Sequence, residues 1–221
     1  MDKNQQAIQY MQQGDFEEAV KLFNEAIEEN PNDPIGYINF GNLLVELNEF
    51  EKAERFYQKA VDLDEQTATA YYGLGNLYFE TGNFQKAQQN LQLALDKGLE
   101  DAHVYYLLGL VLQHQDQFRL ALPYLLRATE LEPEDVAYLF QYGLSLANTG
   151  AIVEAKKVFS RVLDLNDSHS DAHYNLGVIA VYEEDAKQAL EHFQQALDIQ
   201  PNHHLAANGK KQLEQLLQDG E

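Results

Sequence analysis

The chain has 221 residues, of which 45 % are hydrophobic and 11 % aromatic, and this composition excludes a disordered protein. Its 36 acidic residues outnumber 15 basic ones, and a formal net charge of -21 repels nucleic acid and anionic membrane surfaces. Cysteine is absent, which excludes disulfide bonds and thiolate metal sites. The N-terminus is polar and no apolar run approaches the roughly 20 residues that span a bilayer, so we expect a cytoplasmic protein.

Small residues return along the chain with a period of 34 residues. A glycine inside a helix costs about 1 kcal/mol relative to alanine, so a periodic glycine predicts a close helix contact that a side chain would block. Two further series at this period consist of alanine, with one valine, and they also predict close helix contacts. The three ladders are Gly41, Gly75, Gly109, Gly143, Gly177; Ala19, Ala53, Ala87, Ala121, Ala155, Ala189; and Ala26, Ala60, Ala94, Ala128, Val162, Ala196.

Each period carries two apolar stripes at helical spacing, separated by turn residues, and therefore predicts a pair of helices. No strand pattern competes. A final helix follows the sixth pair, and we expect it to cap the array with Leu205, Leu213, Leu216 and Leu217 on its buried face. The predicted helices are, in chain order, 3–13, 16–29, 34–47, 50–63, 68–81, 84–97, 102–115, 118–131, 136–149, 152–165, 170–183, 186–199 and 203–218.

The repeated motifs Tyr71-x-x-Leu74-Gly75-x-x-Tyr78 and Ala19-x-x-x-Phe23 resemble the tetratricopeptide-repeat (TPR) family over essentially the whole chain. The closest kind of relative is a small stand-alone bacterial TPR protein. The resemblance implies an all-α, right-handed solenoid of six 34-residue helix hairpins plus a C-terminal capping helix, forming a single domain over residues 1–221. The implied repeats lie near 1–33, 34–67, 68–101, 102–135, 136–169 and 170–203, with the capping helix near 203–218.

The resemblance also implies that the first helix of each pair lines a concave groove, with positions 2, 5, 6, 9, 12 and 13 facing inward. Counted from Pro34 and its equivalents, these positions carry no Lys or Arg and include aliphatic residues such as Ile38 and Leu107. Aromatic rings supply contact area and amides pair with peptide backbone, although single rings could instead be core and single amides could bond locally. The candidate peptide-binding residues are Asn39, Asn42, Tyr72, Asn76, Phe79, Tyr106, Phe140, Gln141, Tyr174 and Asn175.

Sequence motifs for catalysis, phosphate binding or a metalloprotease site are absent, so we expect neither an enzyme nor a cofactor. His169 and His173 have helical metal-ligand spacing, but a structural role is expected and no metal is predicted. We predict a scaffold that binds a protein or an extended peptide of neutral to basic character, with no nucleic acid or membrane partner. The cations that would grip an acidic chaperone tail are missing. The alternative is a self-assembling module whose groove receives a helix of a neighbouring chain.

Overall fold

The computed structural model describes residues 2–219, which form thirteen helices and no strand. None of these helices combines the length and apolarity needed to cross a membrane. The helices are α1 Lys3–Gln12, α2 Phe16–Glu29, α3 Pro34–Glu46, α4 Phe50–Leu63, α5 Ala68–Glu80, α6 Phe84–Asp96, α7 Ala102–His114, α8 Phe118–Leu131, α9 Val136–Asn148, α10 Ile152–Leu165, α11 Ser170–Tyr182, α12 Ala186–Ile199 and α13 His204–Asp219.

The chain divides into two compact units, unit 1 ending at Gln115 and unit 2 beginning at Asp116. In unit 1, α1 pairs with α2, α3 with α4 and α5 with α6, and α7 packs on α5 and α6. The odd-numbered helices of unit 1 contact one another in chain order and together form what we call the first-helix face of unit 1. In unit 2, α9 pairs with α10 and α11 with α12, while α8 packs on α9 and α13 on α12.

The turn inside each hairpin is set by one residue with a positive φ angle. Gly14, Gly82 and Gly150 adopt this left-handed conformation without steric cost because they lack a Cβ. Asn48 and Asp116 also have positive φ angles, and Asn and Asp are the residue types that tolerate this conformation best after glycine. Glutamate is not one of them, so the φ of 61° at Glu184 is strained. These turn residues recur at the same 34-residue period as the ladders.

The predicted close contacts are confirmed at four glycines of the ladder, two in each unit. A Cβ built on Gly41 would lie 2.7 Å from the Tyr57 ring, and one on Gly75 would lie 2.6 Å from Leu91 Cγ. Equivalent clashes of 2.8 Å and 2.6 Å would occur at Gly143 and Gly177. Only a hydrogen in place of the side chain lets the paired helices approach this closely.

The buried face predicted for the last helix is wrong. Leu205, Leu216 and Leu217 are 58 %, 69 % and 45 % exposed, and only Leu213 is half-buried. The helix packs instead through Ala206, which is fully buried, and through Gly209. Small residues form the contact because α13 lies so close to the Phe193 ring that a Cβ on Gly209 would approach it to 2.9 Å.

Candidate functional site

The ten predicted site residues all lie on the first helices of their hairpins. In unit 1 they lie on α3, α5 and α7, and in unit 2 on α9 and α11. Asn42 is exposed and the other nine are half-buried, so each ring or amide divides its surface between packing and solvent. Two aliphatic residues predicted to share this surface, Ile38 and Leu107, are instead buried in the core, because the packing stripe of these helices is wider than predicted.

A row of three rings crosses from α5 to α7 in unit 1. The centroids of Tyr72 and His103 lie 6.3 Å apart in an edge-to-face arrangement, and those of His103 and Tyr106 lie 5.7 Å apart. Burial, aided by the nearby carboxylate of Asp101, raises the pKa of the Tyr72 hydroxyl. The phenol is therefore neutral at physiological pH and can only donate or accept a hydrogen bond.

A second ring cluster in unit 1 joins the end of α5 to the start of α6 and the end of α7. The His114 ring stacks on Phe84 with centroids 4.4 Å apart and planes 8° apart. Phe79 lies 5.8 Å from His114 and 6.0 Å from Phe84. Phe79 is thus fixed by two neighbouring rings while it keeps part of its surface open to solvent.

Asn42 is held by a residue from the second helix of its own hairpin. The Tyr57 hydroxyl on α4 donates a 2.7 Å hydrogen bond to Asn42 Oδ1. The Tyr57 ring is only 2 % exposed, and burial raises the pKa of its hydroxyl. Tyr57 lies between Gly41 and Gly73, where added Cβ atoms would approach its ring to 2.7 Å and 2.5 Å.

The other predicted amides differ in how they are held. Within residues 2–219, the side chains of Asn39 and Asn76 have no hydrogen-bond partner, so their amides can turn toward a ligand. Asn175 Nδ2 instead donates a 2.7 Å bond to the Asp171 carbonyl one turn earlier in α11. Its Oδ1 remains as an acceptor.

In unit 2, each predicted aromatic packs against a histidine and a core phenylalanine. The Phe140 centroid lies 4.5 Å from His169 and 5.7 Å from Phe159. Tyr174 lies 5.3 Å from His203 and 6.0 Å from Phe193. These two aromatics therefore serve partly as core, which leaves less of each ring for a ligand.

The two histidines that pack on these rings cap helices. His169 Nδ1 accepts a hydrogen bond from the Ala172 N–H at the start of α11. His203 Nδ1 accepts one from Ala206 at the start of α13, so its Nε2 carries the proton and lies 3.1 Å from Asp171 Oδ1. In both histidines Nδ1 must be unprotonated in order to accept this hydrogen bond. Burial lowers the pKa of His169.

Two further histidines of unit 2 meet at 3.2 Å, His173 Nδ1 to His192 Nδ1. His173 Nε2 lies 3.2 Å from the Asp167 carbonyl and donates to it, so His173 Nδ1 must accept the proton of His192. Burial, and secondly the charge that His173 would carry, lower the pKa of His192. Across residues 2–219, no group of three or more His, Asp or Glu side chains is placed to hold a metal ion.

Sequence reasoning missed Tyr57, which lies on the second helix α4 but holds the site residue Asn42. Its position in the repeat carries Phe or Leu everywhere else, namely Phe23, Leu91, Leu125, Phe159 and Phe193. One signal could have found it. The only tyrosine of this ladder is accompanied by Gly73 on the following first helix. The equivalent position of the repeat carries Asn, Leu or Gln in the other hairpins from Asn39 to Asn175.

The chain matches known TPR proteins in sequence and in structure. Family profiles described as TPR repeat or tetratricopeptide repeat match residues 9–46, 41–82, 72–116, 106–155 and 170–203. The TPR repeat-containing protein YrrB of Bacillus subtilis (strain 168) is 59 % identical over 39 residues, which is 18 % of this chain and 19 % of that protein's length.

Solved structures match over more of the chain. A crystal structure of YrrB superposes with a TM-score of 0.81 and 47 % identity, covering 86 % of this chain and 97 % of the other. A structure of Pseudomonas aeruginosa PilF superposes with a TM-score of 0.82 over 95 % of this chain and 96 % of the other, and at 19 % identity it shows the fold alone. From its repeats, its helix hairpins and these matches, the chain belongs to the tetratricopeptide-repeat family.

Proposed function

We propose that this chain is a non-enzymatic scaffold that binds an extended segment of another polypeptide along its first helices. The observation that carries the proposal is the composition of the first-helix face of unit 1, where half-buried tyrosines and exposed or half-buried amides of adjacent helices occur together and no inward position carries Lys or Arg. YrrB, 47 % identical to this chain, is described as a TPR protein with an unusual peptide-binding site. The concave groove of the TPR family is the surface on which such a ligand would lie.

The centre of the proposed site in unit 1 is formed by Tyr72, Tyr106, Asn42 and Asn76. Rings that are already half-buried lose little side-chain entropy on binding and can be fully desolvated by a ligand. Amides supply donors and acceptors for peptide N–H and C=O groups. Asn39 and Phe79 extend this set in unit 1, and Phe140, Gln141, Tyr174 and Asn175 form the corresponding set in unit 2.

The charge of the chain favours a neutral to basic partner. The inward positions lack Lys and Arg, and the whole chain has a formal net charge of -21. A basic peptide would be attracted mainly at long range, which raises its association rate and is screened by salt. An acidic peptide would find neither a cation to pair with nor a favourable field.

A peptide selected from a random dodecamer library on the wild-type protein provides the probe for this proposal. We expect Tyr72→Ala and Tyr106→Ala to weaken binding by about 2 kcal/mol each, and Asn42→Ala and Asn76→Ala by about 1 kcal/mol. Tyr10→Ala, which removes a tyrosine outside the proposed set, is the matched control and should bind like wild type. Titration calorimetry and thermal melts on the same variants separate lost contacts from lost folding.

The proposal fails if both tyrosine variants lose stability sharply while the remaining folded protein binds the peptide as wild type does. That result would assign both rings to the core.

Self-assembly is a second candidate function, favoured by the leucines exposed on α13. Leu205, Leu216 and Leu217 are exposed apolar side chains of one helix that the first helices of a second copy could cover. Light scattering over a concentration series tests it. Association that Leu216→Ser abolishes would support this candidate, and a monomer at all concentrations would exclude it.

A further inference from the structure

The two units each hold one aromatic ring between two glycines of adjacent first helices. In unit 1 the ring is Tyr57, between Gly41 and Gly73. In unit 2 the ring is Phe193, and Cβ atoms added to Gly177 and Gly209 would approach it to 2.6 Å and 2.9 Å.

Every member of the unit 2 arrangement lies 136 residues, or four repeat periods, after its unit 1 equivalent. The same packing is therefore built twice, and the two versions differ at the end of the ring.

The difference is one hydroxyl group and the residue that it meets. Tyr57 ends in an O–H that donates to Asn42 Oδ1 at 2.7 Å. Phe193 ends in a C–H, and the residue at the phase of Asn42 is Val178, which is 43 % exposed. The unit 1 version is thus polar at its tip and the unit 2 version apolar.

The hydrogen bond from Tyr57 fixes the orientation of the Asn42 amide. The phenol proton takes one of the two acceptor sites of Oδ1, and Nδ2 keeps both of its donor protons for other partners. Within residues 2–219 Nδ2 has no hydrogen-bond partner, and the side chain is exposed. A freely rotating amide could present either group in any direction, whereas this one presents its donor group in one fixed direction.

Gly73 is what allows the phenol to reach Asn42. A Cβ at this position would lie 2.5 Å from Tyr57 Cε1 and 2.8 Å from Cζ, so any other residue would displace the ring. The equivalent positions in the neighbouring repeats carry side chains, Asn39 and Leu107, whereas Gly73 has none. The amide available beside it is that of Asn42 on the preceding first helix, one turn after Asn39.

We propose that Tyr57 is a positioning residue that holds Asn42 as a hydrogen-bond donor for a backbone carbonyl of the bound peptide. The inference rests on the proposed function and adds to it the group of the ligand that is recognised. A carbonyl fits better than a carboxylate, because no Lys or Arg at the inward positions could neutralise a negative charge.

Tyr57→Phe tests the inference with the dodecamer selected on the wild-type protein. The variant keeps the ring and its packing, so its melting temperature should stay close to that of wild type. We expect it to bind about five-fold more weakly, the order of effect of one lost hydrogen bond. In the Asn42→Ala background, Tyr57→Phe should cause no further loss, because the hydroxyl acts through Asn42.

A readout on the free protein separates this inference from the proposed function. The Nδ2 protons of Asn42 should give a well-ordered side-chain NMR signal in wild type that becomes mobile in Tyr57→Phe. An unchanged Asn42 signal, wild-type affinity in Tyr57→Phe, or an equal loss in the Asn42→Ala background would each overturn the positioning role. Failure of the wild-type protein to select any peptide would contradict the proposed function itself.

Discussion

Tyr57 in unit 1 and Phe193 in unit 2 occupy the same phase of the repeat and pack between glycines in the same way. Around Tyr57 the surface is built from phenols and amides, with a hydroxyl-to-amide bond at its centre. Around Phe193 it is built from His203, which caps α13 and packs on Tyr174, and from the exposed Val178. The same ring packing can therefore accompany different surface chemistry, because the group at the tip of the packed ring decides whether it can hold a surface side chain.

The largest expected effect concerns the cap of unit 2. Ending the chain after Gln200 removes α13 and uncovers the Phe193 ring, which is 2 % exposed in the intact protein. Exposing such a ring costs about 1.5–3 kcal/mol, and the truncated protein should aggregate. Hydrogen exchange should speed up in α11 and α12 but remain unchanged in α3 to α6.

Replacing the exposed Leu216 and Leu217 by serine is the control for this truncation and should leave exchange rates as they are. Equal acceleration in both units would show that the units are not separable in stability.

A smaller effect is expected from Gly73→Ala, which tests the ring packing of unit 1. Alanine gains about 1 kcal/mol in helix propensity, but its Cβ would lie 2.5 Å from Tyr57, and overpacking of a core typically costs about 1–3 kcal/mol. We expect a net loss in urea unfolding. At Gly36 the nearest side-chain atom, Ile27 Cγ1, would lie at 3.2 Å, so Gly36→Ala should be close to neutral. A neutral Gly73→Ala would mean that the ring can move aside.

Acid should destabilise unit 2 through its histidines. The pKa values of His169 and His192 are lowered in the folded state, so the unfolded chain binds more protons below its ordinary histidine pKa of about 6.5. Stability is therefore present at neutral pH and falls as the pH drops through about 6.5 toward the lowered values.

The measurement is hydrogen exchange in α11 and α12 at pH 7 and pH 5, in wild type and in His192→Gln. The variant removes one of the two groups, so its exchange should respond less to acid. An identical response in wild type and variant would show that carboxylates, and not this histidine, control the acid sensitivity.

The smallest expected effect is a gain at the strained turn of unit 2. Glu184 has a φ of 61°, which costs an L-residue with a Cβ about 1–2 kcal/mol, whereas the equivalent turn in unit 1 uses Gly14 or Gly82. Glu184→Gly should raise the free energy of unfolding by about 1 kcal/mol, less the entropy that glycine adds to the unfolded chain. Urea unfolding measures it, and a loss of stability would mean that the glutamate side chain contributes contacts of its own.

The helices could be predicted from the sequence because periodicity and turn residues act locally. The predicted and observed starts of α2 and α11 coincide, at Phe16 and Ser170. The fold class followed from the same pattern. The division into two compact units at Gln115 has no counterpart in the repeat pattern, and the single domain over residues 1–221 stays a prediction.

The exposure of the surface side chains was harder to predict. The position of a residue in the helical repeat indicates which side of the helix it faces, but it does not indicate which residues pack over that side. Ile38 and Leu107 were placed on the face by phase but are buried in the core. Tyr57 was left out by phase, since it lies on a second helix, but its hydroxyl reaches Asn42 through the gap beside Gly73. The leucines of α13 were assigned to the core by hydrophobicity alone, while close approach selected Ala206 and Gly209.

The most direct test of the account is side-chain NMR of the ¹³C,¹⁵N-labelled protein titrated with the dodecamer selected on it. The account predicts that the Nδ2 signals of Asn42 and Asn76 shift, together with the ring signals of Tyr72 and Tyr106, while residues of α4 and α6 stay in place except Tyr57. Shifts confined to the second helices, with the four unit 1 side chains unchanged, would contradict it.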